Sequence, residues 1–215
     1  MSTVLLVRHG QAGADVVADY DRLSDRGVEQ ARALGAALRA RGVEVDDVVT
    51  GALVRQRATA EALLPALGAA PAPRVAAGWD EFDHLDLLTA HGPGAPRPDE
   101  PLQPQLDAAL AGWIAAGDAT GCERTYAAFR DGALAALGEV TGRLGRGRTA
   151  LVVTSAGIVA AVAAHLLGAG APTVVALNRV AVNTAVATLV HGRSGTTLLT
   201  VNEHAHLPRE LITYR

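Results

Sequence analysis

Short apolar runs alternate with stretches of helical periodicity, and this constrains the chain most. Val4-Leu5-Leu6-Val7 is apolar without alternation, so residues 3–8 read as a strand covered on both faces, as in a parallel sheet. Residues 149–154 read as another buried strand. Residues 46–50 and 74–76 read as two shorter ones. Between them, Leu23-Ser24-Asp25-Arg26-Gly27 opens a helix that Ser24 or Asp25 caps. Val28, Ala31, Leu34 and Leu38 form its apolar face, and Gly42 stops it. Leu53, Ala60, Leu63, Leu64 and Leu67 mark a second helix ending near Gly68. Residues 123–145 form the longest, with Tyr126, Phe129, Ala133, Leu137, Val140 and Leu144 on one face. The strand at 149–154 leads into a helix over 157–167. Residues 181–190 and 196–201 read as a hairpin closed by 191–195. Strands alternating with helices, then a late hairpin, predict a three-layer α/β/α sandwich with a mainly parallel sheet and an antiparallel edge.

The chain has 215 residues, which suits one domain. Residues 79–118 differ in character. Five prolines (93, 96, 98, 101 and 104) lie between His91 and Pro104, so that run is expected to be neither regular helix nor central strand. The region is expected to leave the sheet, to be partly helical at 84–90 and 105–117, and to act as a lid over the site. All basic residues are arginine, and the net charge is −3. That balance argues against a nucleic-acid partner, which would require a basic face. One cysteine, Cys122, allows no intrachain disulfide and points to a reducing cytoplasm. No signal peptide is evident at the start. Thr154, Ser155, His165, Pro172 and several glycines interrupt the apolar residues 150–177, so they are expected to form a buried strand and helix, not a membrane span.

Arg8-His9-Gly10 follows the first strand directly. Ligands of open α/β sheets bind beyond the carboxyl ends of the strands. An arginine there offers planar recognition of phosphate oxygens. A histidine there can attack phosphorus and carry the phosphoryl group. Arg55 lies just past the second strand, so a site built on two neighbouring strands would bring Arg8 and Arg55 together. Two arginines around His9 would trap a dianion and lower the imidazole's pKa, keeping it neutral and nucleophilic. Gly10 fits where phosphate and His9 approach the backbone.

Arg8-His9-Gly10-Gln11, the run Leu23-Ser24-Asp25-Arg26-Gly27-Val28-Glu29-Gln30-Ala31, and Arg55 with Thr59-Ala60 together resemble the phosphoglycerate-mutase-like group of the histidine phosphatase superfamily. Trp79-Asp80-Glu81-Phe82-Asp83-His84 resembles the segment carrying that family's acid. Asn202-Glu203-His204-Ala205-His206-Leu207 resembles its closing motif. The resemblance implies a phosphomonoester hydrolase acting through a phosphohistidine on a small phosphorylated metabolite. His9 would be the nucleophile and Glu81 the general acid and base. Arg8, Arg55 and Gly10 would sit around the phosphate. No cofactor and no metal is implied, and the partner is the small phosphoester substrate.

The pattern breaks at Val152-Val153-Thr154-Ser155-Ala156-Gly157. Ser155 stands where the family has a second histidine, so its hydroxyl is expected to bind a phosphate oxygen in that histidine's place. His84 or His206 could reach the same gap. Gln11 and Asn183, the latter at the start of a strand, are further candidates for lining the site. His204 and His206 alternate like strand neighbours but lack a third metal ligand. His165 reads as a core histidine, and Trp79 and Trp113 as core or lid packing. Arg97 reads as a solvated loop charge. Two alternatives stand beside the hydrolase: a phosphomutase of the same family, and a weak or inactive phosphate-binding module. A homodimer is compatible with the chain.

Overall fold

A computed structural model describes residues 1–13, 21–93 and 101–214. Arg97 therefore lies outside the described residues, as do Pro96 and Pro98. Six strands form one sheet: β1 (Ser2–Arg8), β2 (Asp47–Thr50), β3 (Arg74–Val75), β4 (Thr149–Thr154), β5 (Val186–Gly192) and β6 (Gly195–Glu203). Their order is β3-β2-β4-β1-β5-β6. The first three pairings are parallel. The β1–β5 and β5–β6 pairings are antiparallel. The expected mainly parallel sheet with an antiparallel edge is present.

Alternate residues of β1 feed two separate cores. Leu5 and Val7 pack with Ala31, Leu34 and Leu38 of α1 (Asp25–Ala40) and Leu63 and Leu67 of α2 (Val54–Leu67). Val4 and Leu6 join a larger core on the other face. Helices α3 (His84–His91), α4 (Leu102–Ala116), α5 (Tyr126–Arg143), α6 (Ala156–Leu166) and α7 (Ala171–Val180) contribute to it. This period of two, buried on both sides, is why β1 reads as an unbroken apolar run.

Several boundaries differ from expectation for local reasons. α1 is capped by Ser24, whose side chain accepts from the Gly27 N–H, and ends as expected at Gly42 with φ of 66°. The inner face of α2 is Gln56, Thr59, Ala60, Leu63 and Leu67, while Leu53 is its N-cap. Pro104 lies inside α4, not in an irregular run, because the first helical turn has no carbonyl partner for its missing N–H. Trp79, Leu87, Leu88, Leu110 and Trp113 are fully buried, so α3 and α4 belong to the main core layer. α7 was not expected; its residues read as part of the preceding apolar stretch. β5 starts at Val186, five residues later than expected. His165 is exposed in the last turn of α6, not in the core.

The loop after β1 seats directly on α1. A Cβ added at Gly10 would lie 2.5 Å from the Gly27 carbonyl oxygen, and one added at Gly27 would lie 2.2 Å from the Gln11 oxygen. This backbone-to-backbone approach by itself requires glycine at position 10. Gly27→Ala gains about 1 kcal/mol of helix propensity. Overpacking against a main chain that has nowhere to go costs about 3 kcal/mol. The net loss of about 2 kcal/mol should lower the melting temperature by about 5 °C, which calorimetry will read.

Candidate active site

His9 is the first residue past β1, and it is buried. Its N–H donates to the Thr154 carbonyl of β4 at 2.8 Å. Its Nδ1 lies 2.8 Å from the Gly10 carbonyl, which can only accept, so Nδ1 carries the proton. Nε2 then keeps its lone pair, and Arg55 Nε donates to it at 3.2 Å. Both contacts select the same neutral tautomer. Burial, followed by the charges of Arg55 and Arg8, holds the His9 pKa well below its ordinary value.

Arg8 and Arg55 do converge, but not from neighbouring strands. β4 lies between β1 and β2, and Arg55 reaches across from the first turn of α2. Asp21 makes this possible. Its carboxylate accepts from the Val54 and Arg55 N–H groups at 3.1 and 3.3 Å and from Arg55 Nη1 at 3.0 Å. It thus caps α2 and orients the guanidinium in one contact set. Arg8 Nη1 donates to the carbonyls of Ala181 and, at 2.8 Å, Tyr214. Arg8, His9, Arg55, Glu81 and His84 line one cavity at the carboxyl end of the sheet.

Glu81 sits on the N-terminus of α6. One carboxylate oxygen accepts from the Gly157 N–H at 2.8 Å and the other from the Phe82 N–H at 3.2 Å. A Cβ at Gly157 would lie 2.3 Å from that carboxylate, so the glycine admits the acid. Burial raises the Glu81 pKa, against the lowering effects of the Gly157 N–H, Arg55, the Phe82 N–H and Arg8. Arg124 fixes this segment from behind, donating to the Glu81 carbonyl at 3.0 Å while lying 4.7 Å from the Phe129 ring centre.

Four expected site residues do other work. Ser155 is fully buried and does not line the cavity. Its hydroxyl accepts from Gln56 Nε2 at 3.0 Å, and the same amide donates to the Trp79 carbonyl at 3.0 Å. Asn183 lies in the loop before β5 and is also fully buried. Its amide donates to the His9 carbonyl at 3.2 Å and accepts from Thr213 at 2.9 Å. Gln11 accepts from Ser24 through its side chain. Its N–H bonds Gln30, whose amide donates to Thr213. These contacts brace the His9 loop from beneath. His206 meets the Thr184 hydroxyl and does not line the cavity.

His206 Nε2 is 3.1 Å from the Thr184 hydroxyl, which itself donates to the Asn183 carbonyl, so Nε2 is the donor. Burial lowers its pKa to about 4, against an opposing pull from Glu203 and with added lowering from Arg41 and His204. The unfolded chain therefore takes up this proton first as pH falls. Stability present above pH 6.5 is lost between 6.5 and about 4. With discounting for partial exposure, the loss is about 2 kcal/mol. His206→Gln keeps the donor and removes the titration. Denaturation at neutral and acid pH should show the variant losing about 2 kcal/mol less than the parent.

Sequence reasoning missed Asp21, Gln56 and Arg124. It also missed Gln103, Leu106, Asn178 and Tyr214, which line the cavity. None carries a local motif; each is brought in by tertiary packing. No group of three or more metal-ligating side chains occurs among the described residues, and His204 bonds the Asn202 carbonyl instead of sharing a ligand set. No helix among those residues is long and apolar enough to cross a membrane.

Fold and cavity together define a phosphoglycerate mutase-like protein with a neutral histidine set between two arginines. The family model of the histidine phosphatase superfamily (branch 1) matches residues 4–204. The chain belongs to that superfamily. A phosphoserine phosphatase mutant from Entamoeba histolytica, solved with phosphoserine, superposes with a TM-score of 0.70 at 16% identity, covering 97% of this chain and 100% of that one. A phosphoglycerate mutase from Bacillus anthracis gives 0.68 at 19% identity, covering 95% and 94%. An alpha-ribazole phosphatase from Shigella flexneri gives 0.65 at 20% identity, covering 94% and 97%. No curated protein is detectably similar in sequence.

Proposed function

We propose that the protein is a phosphomonoester hydrolase that works through a phosphohistidine in the cytoplasm. The observation that carries this reading is the Arg55 Nε–His9 Nε2 contact at 3.2 Å. It sets an imidazole lone pair inside a cationic cavity. A phosphoryl group seated on Arg8 and Arg55 would meet that lone pair. Nε2 attacks phosphorus, and the P–O bond to the alcohol breaks. Glu81 protonates the leaving oxygen. The Glu81 carboxylate then takes a proton from water, which attacks the phosphohistidine, releases phosphate and restores neutral His9. The guanidinium groups supply the positive charge, so no metal is invoked.

A substrate incubation quenched in alkali, followed by mass spectrometry of the protein, tests this directly. Phosphate covalently on His9 supports the reading. Phosphoester binding with no covalent intermediate and no release favours the inert module. Transfer to a second alcohol in preference to water favours a mutase. Ser155 gives the inert module its weight, since it is fully buried and does not line the cavity. His84, at the start of α3, lines the cavity and is the histidine we put forward for the role the family gives its second histidine.

Glu81 must be protonated in the first step, and its raised pKa extends that form toward neutral pH. The rate should peak on the acid side of neutrality and fall as pH rises. Glu81→Gln should cost alkyl phosphates about 10²–10⁴-fold in kcat; with aryl phosphates the first release of phenolate should be largely spared, because a phenolate leaves without a proton, while turnover of the phosphohistidine, which needs the base, slows. A kcat/KM profile that climbs into alkaline pH contradicts the role.

A further inference from the structure

We propose that the alcohol half of the substrate is uncharged and carries hydroxyl groups; this rests on the phosphatase reading. Beyond the phosphoryl position, the cavity is walled by Gln103 and Leu106 of α4, Asn178 of α7, and Phe82. Asp107, almost fully buried, ties these two helices together. It accepts from Gln103 Nε2 at 2.9 Å and from Arg179 Nε at 2.5 Å.

A carboxylate accepts and does not donate, so the Gln103 amide must turn its nitrogen toward Asp107. That engages one of the two amide N–H groups and leaves Oε1 and the second N–H, an acceptor and a donor, which together match a hydroxyl. The charge of Arg179 is engaged by the same carboxylate, and Arg179 does not line the cavity. Asn178 both donates and accepts, which suits a further hydroxyl. Phe82 is held edge-on against Trp113 and Phe129, with ring centres 5.6 and 5.7 Å apart. With Leu106, it offers a fixed apolar surface to a carbon skeleton. Among the described residues this wall offers a carboxylate-bearing leaving group only amide, aromatic and aliphatic groups, while Arg8 and Arg55 are taken up by the phosphoryl group.

Glycerol 3-phosphate and 3-phosphoglycerate form a matched pair, differing by a hydroxymethyl group in place of a carboxylate. Each is assayed for phosphate release beside 4-nitrophenyl phosphate. The expected result is a kcat/KM for glycerol 3-phosphate at least about 30-fold above that for 3-phosphoglycerate, since desolvating a carboxylate without a charged partner is costly. Gln103→Leu should bring the two within a few-fold of each other. Equal rates, or a preference for 3-phosphoglycerate, overturn the inference and leave the phosphatase reading standing. So does a ratio that Gln103→Leu does not move. No release from any of the three, the aryl ester included, overturns both. Should Gln103→Leu fail to fold, the ratio in the unaltered protein decides alone.

Discussion

His9→Asn reduces phosphoester hydrolysis to background, a loss on the order of 10⁴-fold or more in kcat, comparable with loss of a nucleophile elsewhere. Asparagine retains a polar side chain but has no lone pair able to form a phosphoramidate. The surrounding frame does not depend on the imidazole. The His9 N–H is held by Thr154 and its carbonyl by Asn183, so the loop should keep its place. The variant should therefore still bind inorganic phosphate through Arg8 and Arg55, measurable by calorimetry, while failing to form any covalent intermediate. Hydrolysis at an appreciable rate by His9→Asn would remove the phosphohistidine from the mechanism.

Arg55→Lys has the second largest expected effect. A lysine keeps the charge and loses the fork. In the parent, Arg55 Nε meets His9 while Nη1 meets Asp21, so one planar group orients the nucleophile and is itself oriented. An ammonium cannot hold both directions at once. The loss should be about 10²–10³ in kcat/KM, the range for one preorganised donor to a developing charge. Arg55→Gln removes the charge as well. Because Arg55 is the largest electrostatic contributor lowering the His9 pKa, that pKa should rise in Arg55→Gln. The acid limb of kcat/KM, where His9 becomes protonated and non-nucleophilic, then moves to higher pH. Arg55→Lys should move it much less. A pH profile identical in all three proteins would show that Arg55 does not act on His9.

Asp21 provides a test of the same geometry, since it positions Arg55 and does not line the cavity. Its contribution could not be read from sequence. Asp21 precedes α1, whereas the helix it caps begins at Val54. A cap normally lies next to its helix, so no local pattern betrays this one. Gln56 is a similar case. Its oxygen accepts from the Leu53 N–H at 3.3 Å at the helix start, while its amide nitrogen is spent on Trp79 and Ser155. Ser155 itself, suggested for a phosphate role by its alignment with a histidine, is fully buried and does not line the cavity.

What the chain determines by itself is the part set by neighbours along the backbone. Unbroken apolar runs demanded strands buried on both faces. Helical periodicity with Ser24 and Gly42 bounded α1. An arginine and a histidine at the carboxyl end of the first strand stand where ligand sites of open α/β sheets form. Which distant groups complete that crevice was decided only by packing. β4 came to lie between β1 and β2, so the second arginine had to reach from a helix turn, not from an adjacent strand. α4 and α7 brought Gln103 and Asn178 to the cavity wall, joined through Asp107. Single polar residues on amphipathic helices look alike in sequence; burial of the opposite face chooses which of them meet a substrate, and that choice is long-range.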